Sequence, residues 1–310
     1  MGKEEIGKVV LDLSHYAGSD LYSEGDSEDA LLEAVKTHKP EEFNRLIKEK
    51  KSWSFLYHLS HLRGNIVDWI PQLEQADVLE IGSGCGAVTG VLAQRAASVT
   101  CVELSKKRSL INAWRNREKD NIEIKVGNFE DIEQTLQEKY DIITLIGVFE
   151  YADSYINDEQ PYHNFLNIIK KHLKKDGQII IAIENKFGMK YWAGCREDHV
   201  GLYYQGIEGY QDVKGVRTFS RNELEQIFKQ CGFTNPQFYY PYPDYKLPVA
   251  VYSDDYLPKV GELQMNQRNF DGERVIVFDE SKAFDNIIRD GMFPFFSNSF
   301  LVMLTQEEEN

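Results

Sequence analysis

Long apolar runs are missing from this sequence. No stretch approaches the ~18 residues of a membrane-crossing helix, and the opening MGKEEIGKVV carries no secretory apolar core. Cysteine is scarce: Cys85, Cys101, Cys195 and Cys231 are scattered and form no CxxC pair. That argues against a disulfide framework or a structural zinc cluster and fits a reducing cytoplasm. Basic residues are outnumbered, 35 Lys and Arg against 50 Asp and Glu, for a net charge of −15. A sequence-independent grip on nucleic acid needs a basic surface, so no nucleic-acid partner is expected. Metal-ligand spacing is absent apart from His58 and His61, an i, i+3 pair on a helical stretch that reads as structural, and no metal is expected. Repeats and low-complexity segments are also missing. What remains is a chain of 310 residues with 42% hydrophobic content, enough to bury a core as one large domain or one domain with additions.

Residues 1 to 75 read mainly as helices. DSEDALLEAVKTH has capping residues and apolar positions at helical spacing, and EEFNRLIKEK and SFLYHLSHLRGNIVDWI continue the pattern up to Pro71. From 77 the pattern alternates. ADVLEIG, SVTCVEL, IEIKVGN, YDIITLIGVF and GQIIIAIEN read as strands, separated by the helices GAVTGVLAQRA, KKRSLINAWRNR, EDIEQTLQEK and PYHNFLNIIKKHLKK. RNELEQIFKQCGF is a further helix with Ser220 as its N-cap and Gly232 at its exit. FYYPYPD and NSFLVMLTQ close the series as strands. Such alternation predicts an α/β fold with a mostly parallel sheet covered by helices. Two segments, 186–218 and 244–296, are too long for turns and read as functional insertions or small subdomains. The final QEEEN reads as a solvated tail.

VLEIGSGCGAVTG places Gly82, Gly84 and Gly86 between a strand and a helix, where glycine permits a tight turn and close approach of a ligand to the backbone. The dinucleotide fingerprint is GxGxxG, with a pyrophosphate at the helix N-terminus. Here the spacing is GSGCG, and Glu80 stands two residues before the first glycine. An acid there opposes a diphosphate and suits a cationic ligand, such as one carrying an ammonium and a sulfonium. Glu103 ends the second strand of the alternation, where a carboxylate can accept both hydroxyls of a ribose.

Taken together, VLEIGSGCG, the acid in CVEL, GNFEDI and YDIITLIGVFEY resemble the ordered motifs of class I S-adenosylmethionine-dependent methyltransferases over about 78–185. The resemblance implies a Rossmann-like seven-stranded sheet whose last strand, NSFLVMLTQ, is antiparallel. It further implies that Glu80 and the backbone of Gly82, Ser83, Gly84, Cys85 and Gly86 hold the methionine part of S-adenosylmethionine. Glu103 would bind the ribose, Leu104 would pack on the adenine, and Asn128 and Phe129 would flank it. Asn128 stands where the family often has Asp, and an amide oxygen can accept the same hydrogen bond. Gly147 and Val148 would line the cofactor, and Glu150 and Tyr151 would face it or the acceptor. The implied product is S-adenosylhomocysteine. The domain reading is a helical N-terminal extension over 1–75 and a methyltransferase domain over 76–310.

In such a fold the strand ending at Glu184 opens onto the ligand edge of the sheet. The stretch IENKFGMKYWAGCREDH then becomes intelligible as a wall or roof for an acceptor. With FYYPYPDYKLP and YSDDYLP downstream, it is similar to a bacterial methyltransferase group found beside, or fused to, glycosyltransferases of cell-surface polysaccharide pathways. That resemblance implies a sugar, sugar nucleotide or glycan acceptor and a glycosyltransferase partner. A sugar hydroxyl has a high pKa, so its methylation benefits from a general base. His199 is the candidate, with Asp198 as its neighbour, as the base itself or as a group binding a hydroxyl; a surface turn or helix cap is the competing reading of EDH. Tyr191 and Trp192 are candidates to stack on a sugar face or to anchor a lid. Lys186 and Arg196 are candidates for a phosphate or carboxylate, or are solvated charges. Asn185 is a further acceptor candidate, and Tyr240, Tyr242 and Tyr245 either complete the acceptor wall or pin the long insertion to the core. Two other readings stay open: N- or O-methylation of another small molecule, and a non-catalytic cofactor-binding module in a glycan-assembly complex. A nicotinamide enzyme is disfavoured by Glu80 and the glycine spacing.

Overall fold

A computed structural model describes residues 2–20, 25–137, 139–156, 159–266 and 274–306. The sequence expectation for the acidic end falls mostly on 307–310, and part of the second insertion falls on 267–273; both lie outside the described residues. The chain folds as two compact units, residues 1–145 with 172–177, and residues 146–171 with 178–310.

The first unit carries strands β1 (Lys3–Ile6), β2 (Val9–His15), β3 (Asp77–Ile81), β4 (Ser98–Glu103), β5 (Ile122–Gly127) and most of β6 (Tyr140–Ile146). Their order is β1-β2-β5-β4-β3-β6. All pairings are parallel except the β1–β2 hairpin. Residues 1–75 are mainly helical, as expected, and the hairpin adds two strands that the sequence reading did not include. Val9, Leu11 and Leu13 alternate with more exposed neighbours and are buried, a period of two that only a strand can present to one face. Gly7 makes the turn at φ 60°, and a Cβ there would lie 2.3 Å from the Arg117 carbonyl oxygen.

Helices α1 (Asp26–Thr37), α2 (Phe43–Lys50) and α3 (Trp53–Leu59) follow the expected pattern. They bury Leu31, Val35, Phe43, Leu46, Phe55 and Leu59 in one apolar cluster, together with Cys85 and Ile111. Between the strands lie α4 (Thr89–Arg95), α5 (Lys106–Arg115) and α6 (Phe129–Glu133). The N-terminus of α5 is held by Ser105 and by Asp20, whose carboxylate accepts from Lys106 N at 2.7 Å and Lys107 N at 3.0 Å. An acid satisfies the otherwise unpaired N–H groups at that end.

The second unit holds α7 (Ala152–Tyr155), α8 (Pro161–Lys170) and the greater part of β7 (Leu173–Glu184). It continues with α9 (Met189–Trp192), α10 (Arg221–Gln230), β8 (Gln237–Tyr242), β9 (Ala250–Ser253), α11 (Glu280–Arg289), α12 (Phe293–Phe296) and β10 (Ser299–Thr305). Its strand order is β7-β10-β8-β9, all antiparallel. Ser299 pairs with Glu184, and the ladder runs on to Thr305 with Gln178. NSFLVMLTQ is therefore the antiparallel strand that the sequence led us to expect. The expected total of seven strands is corrected: ten form among the described residues, the three additional ones being β1, β2 and β9. Ser220 caps α10 in a reciprocal box with Glu223, and Gly232 leaves the helix at φ 83°, as the sequence implied.

Candidate active site

In the first unit the loop after β3 is a sequence of glycine-dependent turns. Gly82, Gly84 and Gly86 have φ of 71°, 52° and 75°, values that non-glycine residues adopt at a cost. Gly82 N and Ser83 N both donate to the Val102 carbonyl, at 2.8 and 3.3 Å. Gly86 is also needed for packing, since a Cβ there would sit 2.3 Å from Asn112 Oδ1 on α5. At Gly84 a Cβ would meet nothing within 4 Å, so the loop presents bare backbone at its centre.

Two carboxylates serve this loop. Glu103 ends β4; its Oε2 accepts from Gly84 N at 2.8 Å and its Oε1 from Ser105 N at 2.9 Å. Each oxygen retains a lone pair for a further donor. Burial raises the Glu103 pKa against those backbone hydrogen bonds. Glu80 is 4% exposed. Its Oε2 accepts from Thr89 Oγ1 at 2.5 Å and from Cys101 Sγ at 3.5 Å, and Thr89 Oγ1 in turn accepts from Asn112 Nδ2 at 3.0 Å. Burial pushes the Glu80 carboxyl up to about 7 despite these donors. A buried carboxylate with neutral partners gains from a cation. The acceptor set thus fits a ligand with an ammonium and a pair of hydroxyls, the donors S-adenosylmethionine presents.

The remaining first-unit candidates divide. Ser83 and Cys85 are buried, and Cys85 belongs to the apolar helix cluster. Leu104 is half-buried, and Phe129 is 7% exposed. The Asn128 side chain caps α6, accepting from Glu130 N at 3.4 Å.

The second unit contains a buried ionic centre. His199 donor or acceptor contacts occupy both ring nitrogens: Tyr151 OH lies 2.9 Å from Nδ1 and Glu184 Oε2 lies 3.3 Å from Nε2. Glu184 is fully buried at the end of β7, and its Oε1 pairs with Lys246 Nζ at 2.6 Å. Lys246 also reaches Asp198 Oδ1 at 2.6 Å. Asp198 Oδ2 takes Lys190 Nζ at 2.9 Å and the Tyr191 hydroxyl, and Lys190 Nζ lies 2.5 Å from Asp244 Oδ2. Glu150, just past β6, is fully buried, and neither of its carboxylate oxygens reaches a hydrogen-bond partner in another residue.

These groups shift one another. Burial and then the Glu184 charge push the Glu150 carboxyl up to about 8. Burial works the same way on Glu184, but Lys246 and His199 outweigh it and hold its pKa well below the ordinary range. Burial opposes the charged form of His199, yet Glu184 overcomes it and lifts the imidazole to about 9. Asp198 is held low against burial by Lys190 and Lys246.

The structure therefore brings together Glu150, Tyr151, Tyr191, Asp198 and His199 from the sequence candidates. Asp198 and His199 do not pair; the carboxylate beside His199 is Glu184. Tyr245 is buried, and its hydroxyl would lie 2.8 Å from a Cβ on Gly147, whose N–H donates to Ala182 O. Val148 is 6% exposed. Other candidates are used elsewhere. Asn185 spends its amide on Phe295 O, Ser297 O and Phe187 N. Lys186 pairs with Glu223 at 2.7 Å, and Tyr242 OH reaches Asn266 Oδ1 at 3.2 Å. Trp192 is exposed and donates to Phe187 O, and Arg196 is exposed over the Tyr203 ring. Sequence reasoning assigned no role to Glu184, Lys190, Glu197, Asp244 or Lys246. The one signal was Glu184 itself, a charge ending a run of buried residues in β7.

A cavity of about 470 Å³ lies elsewhere in this unit, lined by Gln160, Tyr162, His163, Tyr210, Arg217 and Gln230 among others. It adjoins the centre through two bonds: Arg217 N donates to Glu150 O, and Tyr210 OH donates to Glu197 Oε1 at 2.9 Å.

The profile of a family described as a methyltransferase domain matches residues 53–237, well over half of the chain. The chain belongs to this methyltransferase family. The match spans the glycine loop, Glu103 and the segment through His199. Among solved structures, a SAM-dependent methyltransferase from Archaeoglobus fulgidus superposes on the methyltransferase with a TM-score of 0.49 at 14% identity, over 85% of this chain and 99% of its own. A SAM-dependent methyltransferase from Thermotoga maritima gives 0.43 at 16% identity, over 87% and 100%. The N-methyltransferase NodS from Bradyrhizobium japonicum WM9 gives 0.44 at 12% identity, over 79% and 94%. No curated protein matches the sequence. No described helix of the methyltransferase is long and apolar enough to cross a membrane.

Proposed function

We propose that this S-adenosylmethionine-dependent methyltransferase O-methylates a carbohydrate-type acceptor: a sugar, a sugar nucleotide or a surface glycan. The observation that carries the cofactor assignment is the pair of buried carboxylates, Glu80 and Glu103, set around a bare glycine turn. S-adenosylmethionine, when bound, supplies a methyl group on a positively charged sulfur and leaves as S-adenosylhomocysteine. Glu80 and the Gly82–Gly86 backbone take its amino-acid part, Glu103 its ribose hydroxyls, and Leu104, Asn128 and Phe129 its adenine. Residues 1–75 serve as an accessory extension to a catalytic domain over 76–310, and the described parts of the segments 186–218 and 244–296 cap the acceptor.

The acceptor hydroxyl must lose its proton as the new C–O bond forms and the methyl–sulfur bond breaks. The proton passes to the ionised form of Glu150, which burial makes the most basic carboxylate of the group, while Tyr151, Glu184 and His199, an imidazole lifted to about 9, position the hydroxyl. Asp198 is a positioning residue here. Two ammonium groups and a tyrosine hydroxyl stabilise its carboxylate and make it a poor proton acceptor. Asn185 fixes the chain where it leaves β7. The polar cavity with Gln160, Gln230, Tyr162 and Tyr210 suits the hydroxyl-rich remainder of a glycan, and a cytoplasmic glycosyltransferase is the fitting partner.

Calorimetric titration tests the first step. S-adenosylhomocysteine should bind in the micromolar range and NAD should not; a folded protein that binds neither would overturn the cofactor assignment. Methyl uptake from labelled S-adenosylmethionine should then appear on sugar nucleotides or glycans, and uptake by amines alone would refute the carbohydrate acceptor.

The Glu80 carboxyl stays protonated up to about 7, and a ligand ammonium favours its ionised form. Binding therefore releases a proton and tightens as pH rises. Between pH 5.5 and 7.0 the ionised fraction of such a group grows roughly 15-fold, and affinity for S-adenosylhomocysteine should follow. Glu80→Gln should remove most of this slope, leaving the smaller part due to Glu103, which is shifted in the same direction. A wild-type affinity that is flat over the window would contradict the contact.

A further inference from the structure

We infer that the buried centre of the second unit is a divalent-cation site whose protein ligands are the carboxylates of Glu150 and Glu184 and Nε2 of His199. The three donors come from separate segments, the turn after β6, the end of β7 and the insertion that follows it, which is why no ligand spacing was visible in the sequence. Their ligating atoms all lie within 4.8 Å of one another. First-row cations bind nitrogen and oxygen at about 2.0–2.2 Å, so two ligands on one ion stand roughly 3–4 Å apart. Glu184 Oε2 and His199 Nε2, at 3.3 Å, are already so placed.

Glu150 supplies the independent observation. It is fully buried, it ion-pairs with no cationic side chain among the described residues, and neither oxygen finds a partner in another residue. A carboxylate buried without a hydrogen-bond partner is costly. Among the described residues the positive groups near it, His199 and Lys246, are both engaged by Glu184, and a cation at this point would satisfy Glu150 and Glu184 together. The surroundings also hold the other ligands in ligating poses. Tyr151 OH engages His199 Nδ1 at 2.9 Å, which leaves Nε2 facing the carboxylates. Lys246 engages Glu184 Oε1 and leaves Oε2 facing His199 Nε2, so that an ion between them would replace that contact. Such outer partners are the usual companions of ligating imidazoles and carboxylates. Lys246 does not itself neutralise the site, because its charge is shared with Asp198, while Lys190 is taken by Asp198 and Asp244.

Two carboxylates with one imidazole suit Mn²⁺, Fe²⁺ or Zn²⁺. Three protein ligands leave coordination positions for acceptor oxygens. That last role rests on the methyl-transfer reading; cation binding does not.

The test uses the full chain, treated with EDTA and titrated with Mn²⁺ alone, without cofactor or acceptor, by calorimetry and electron paramagnetic resonance. One Mn²⁺ per chain is expected. Glu150→Gln and His199→Gln should each weaken it by roughly 100-fold or more, since even outer partners of metal ligands contribute 10–100-fold. Glu133→Gln, in the other unit, should change nothing. Mn²⁺ should raise the melting temperature of the wild type and leave that of Glu150→Gln unchanged, a readout that also shows the variant is folded. No uptake, or equal uptake by Glu150→Gln, overturns the site. Titration of the same samples with S-adenosylhomocysteine separates the two readings: Mn²⁺ uptake without it sinks the methyl-donor assignment alone, and its binding without Mn²⁺ uptake sinks the cation site alone.

Discussion

Replacing Lys190 by methionine is expected to destabilise the methyltransferase by about 3–5 kcal/mol, the loss typical of a broken buried ion pair. Lys190 is 7% exposed, and its ammonium touches both Asp244 and Asp198. Methionine matches the stem in length and apolar character, so packing is largely conserved and the charge is what disappears. Asp198 would keep Lys246. Among the described residues Asp244 would keep the Lys246 backbone N–H at 3.0 Å on its other oxygen and no cation of its own. At about 2.1 cal/mol/K per residue, 310 residues convert that loss into a fall in melting temperature of about 5–8 °C. A second substitution sharpens the test. Lys190→Met with Asp244→Asn should recover part of the loss, because the stranded carboxylate is then gone. Thermal denaturation of the two variants decides it, and a fall below about 1 kcal/mol in the single variant would mean that the pair is solvated.

The pH dependence of this cluster has a definite sign. Lys190 is raised above its ordinary range, with burial overcome by Asp198 and Asp244. Its contribution is fully present below the unfolded lysine value and is lost as pH climbs through the folded one. Asp198 is depressed, so its contribution is present above the unfolded aspartate value and is lost as pH falls through the folded one. The stabilisation therefore spans the neutral range, and Lys190→Met should lower stability throughout it rather than at one edge.

This cluster was the least legible part of the sequence, for a physical reason. Lys190, Asp244 and Lys246 each look like a solvated charge when read locally. Only long-range pairing between the segment after β7 and the segment after β8 turns them into a buried network. EDH, by contrast, looked like either a base or a surface turn. In the fold its three residues part company: Glu197 accepts two backbone N–H groups and Tyr210 OH, Asp198 faces the lysines, and His199 meets Glu184. Adjacent side chains in an irregular segment point apart, so chain neighbourhood was a poor guide to partners. The same holds for Asn185, whose polarity suggested a ligand and whose amide instead ties β7 to the turn before β10.

Features fixed by a few consecutive residues were readable. The Ser220 cap with Glu223, the Gly232 exit and the β3–loop–α4 passage all depend on local backbone chemistry. The β1–β2 hairpin was missed although its alternation is local. Strands of four and seven residues carry a weak signal beside the strong helical period of α1 to α3, and β2 gains its stability from pairing with β5, over a hundred residues away along the chain.

Glu103→Ala is expected to reduce affinity for S-adenosylhomocysteine by on the order of 100-fold or more. The argument starts from how the carboxylate is held. Oε1 and Oε2 each accept one backbone N–H, from Ser105 and Gly84, and so each presents its second lone pair in a fixed direction. A ribose offers two neighbouring hydroxyls, and two hydrogen bonds to a charged acceptor contribute about 1.5–3 kcal/mol each. Alanine removes both and also frees Gly84 N–H, so the bare centre of the loop loses its anchor. Glu103→Gln should lie between. Its carbonyl can serve one donor, but its NH₂ must face a backbone N–H or a hydroxyl that already donates. Calorimetry with S-adenosylhomocysteine, alongside unchanged circular dichroism, measures the difference. If Glu103→Ala binds within threefold of the wild type, the ribose is held elsewhere and Glu103 is a structural brace between the loop and α5.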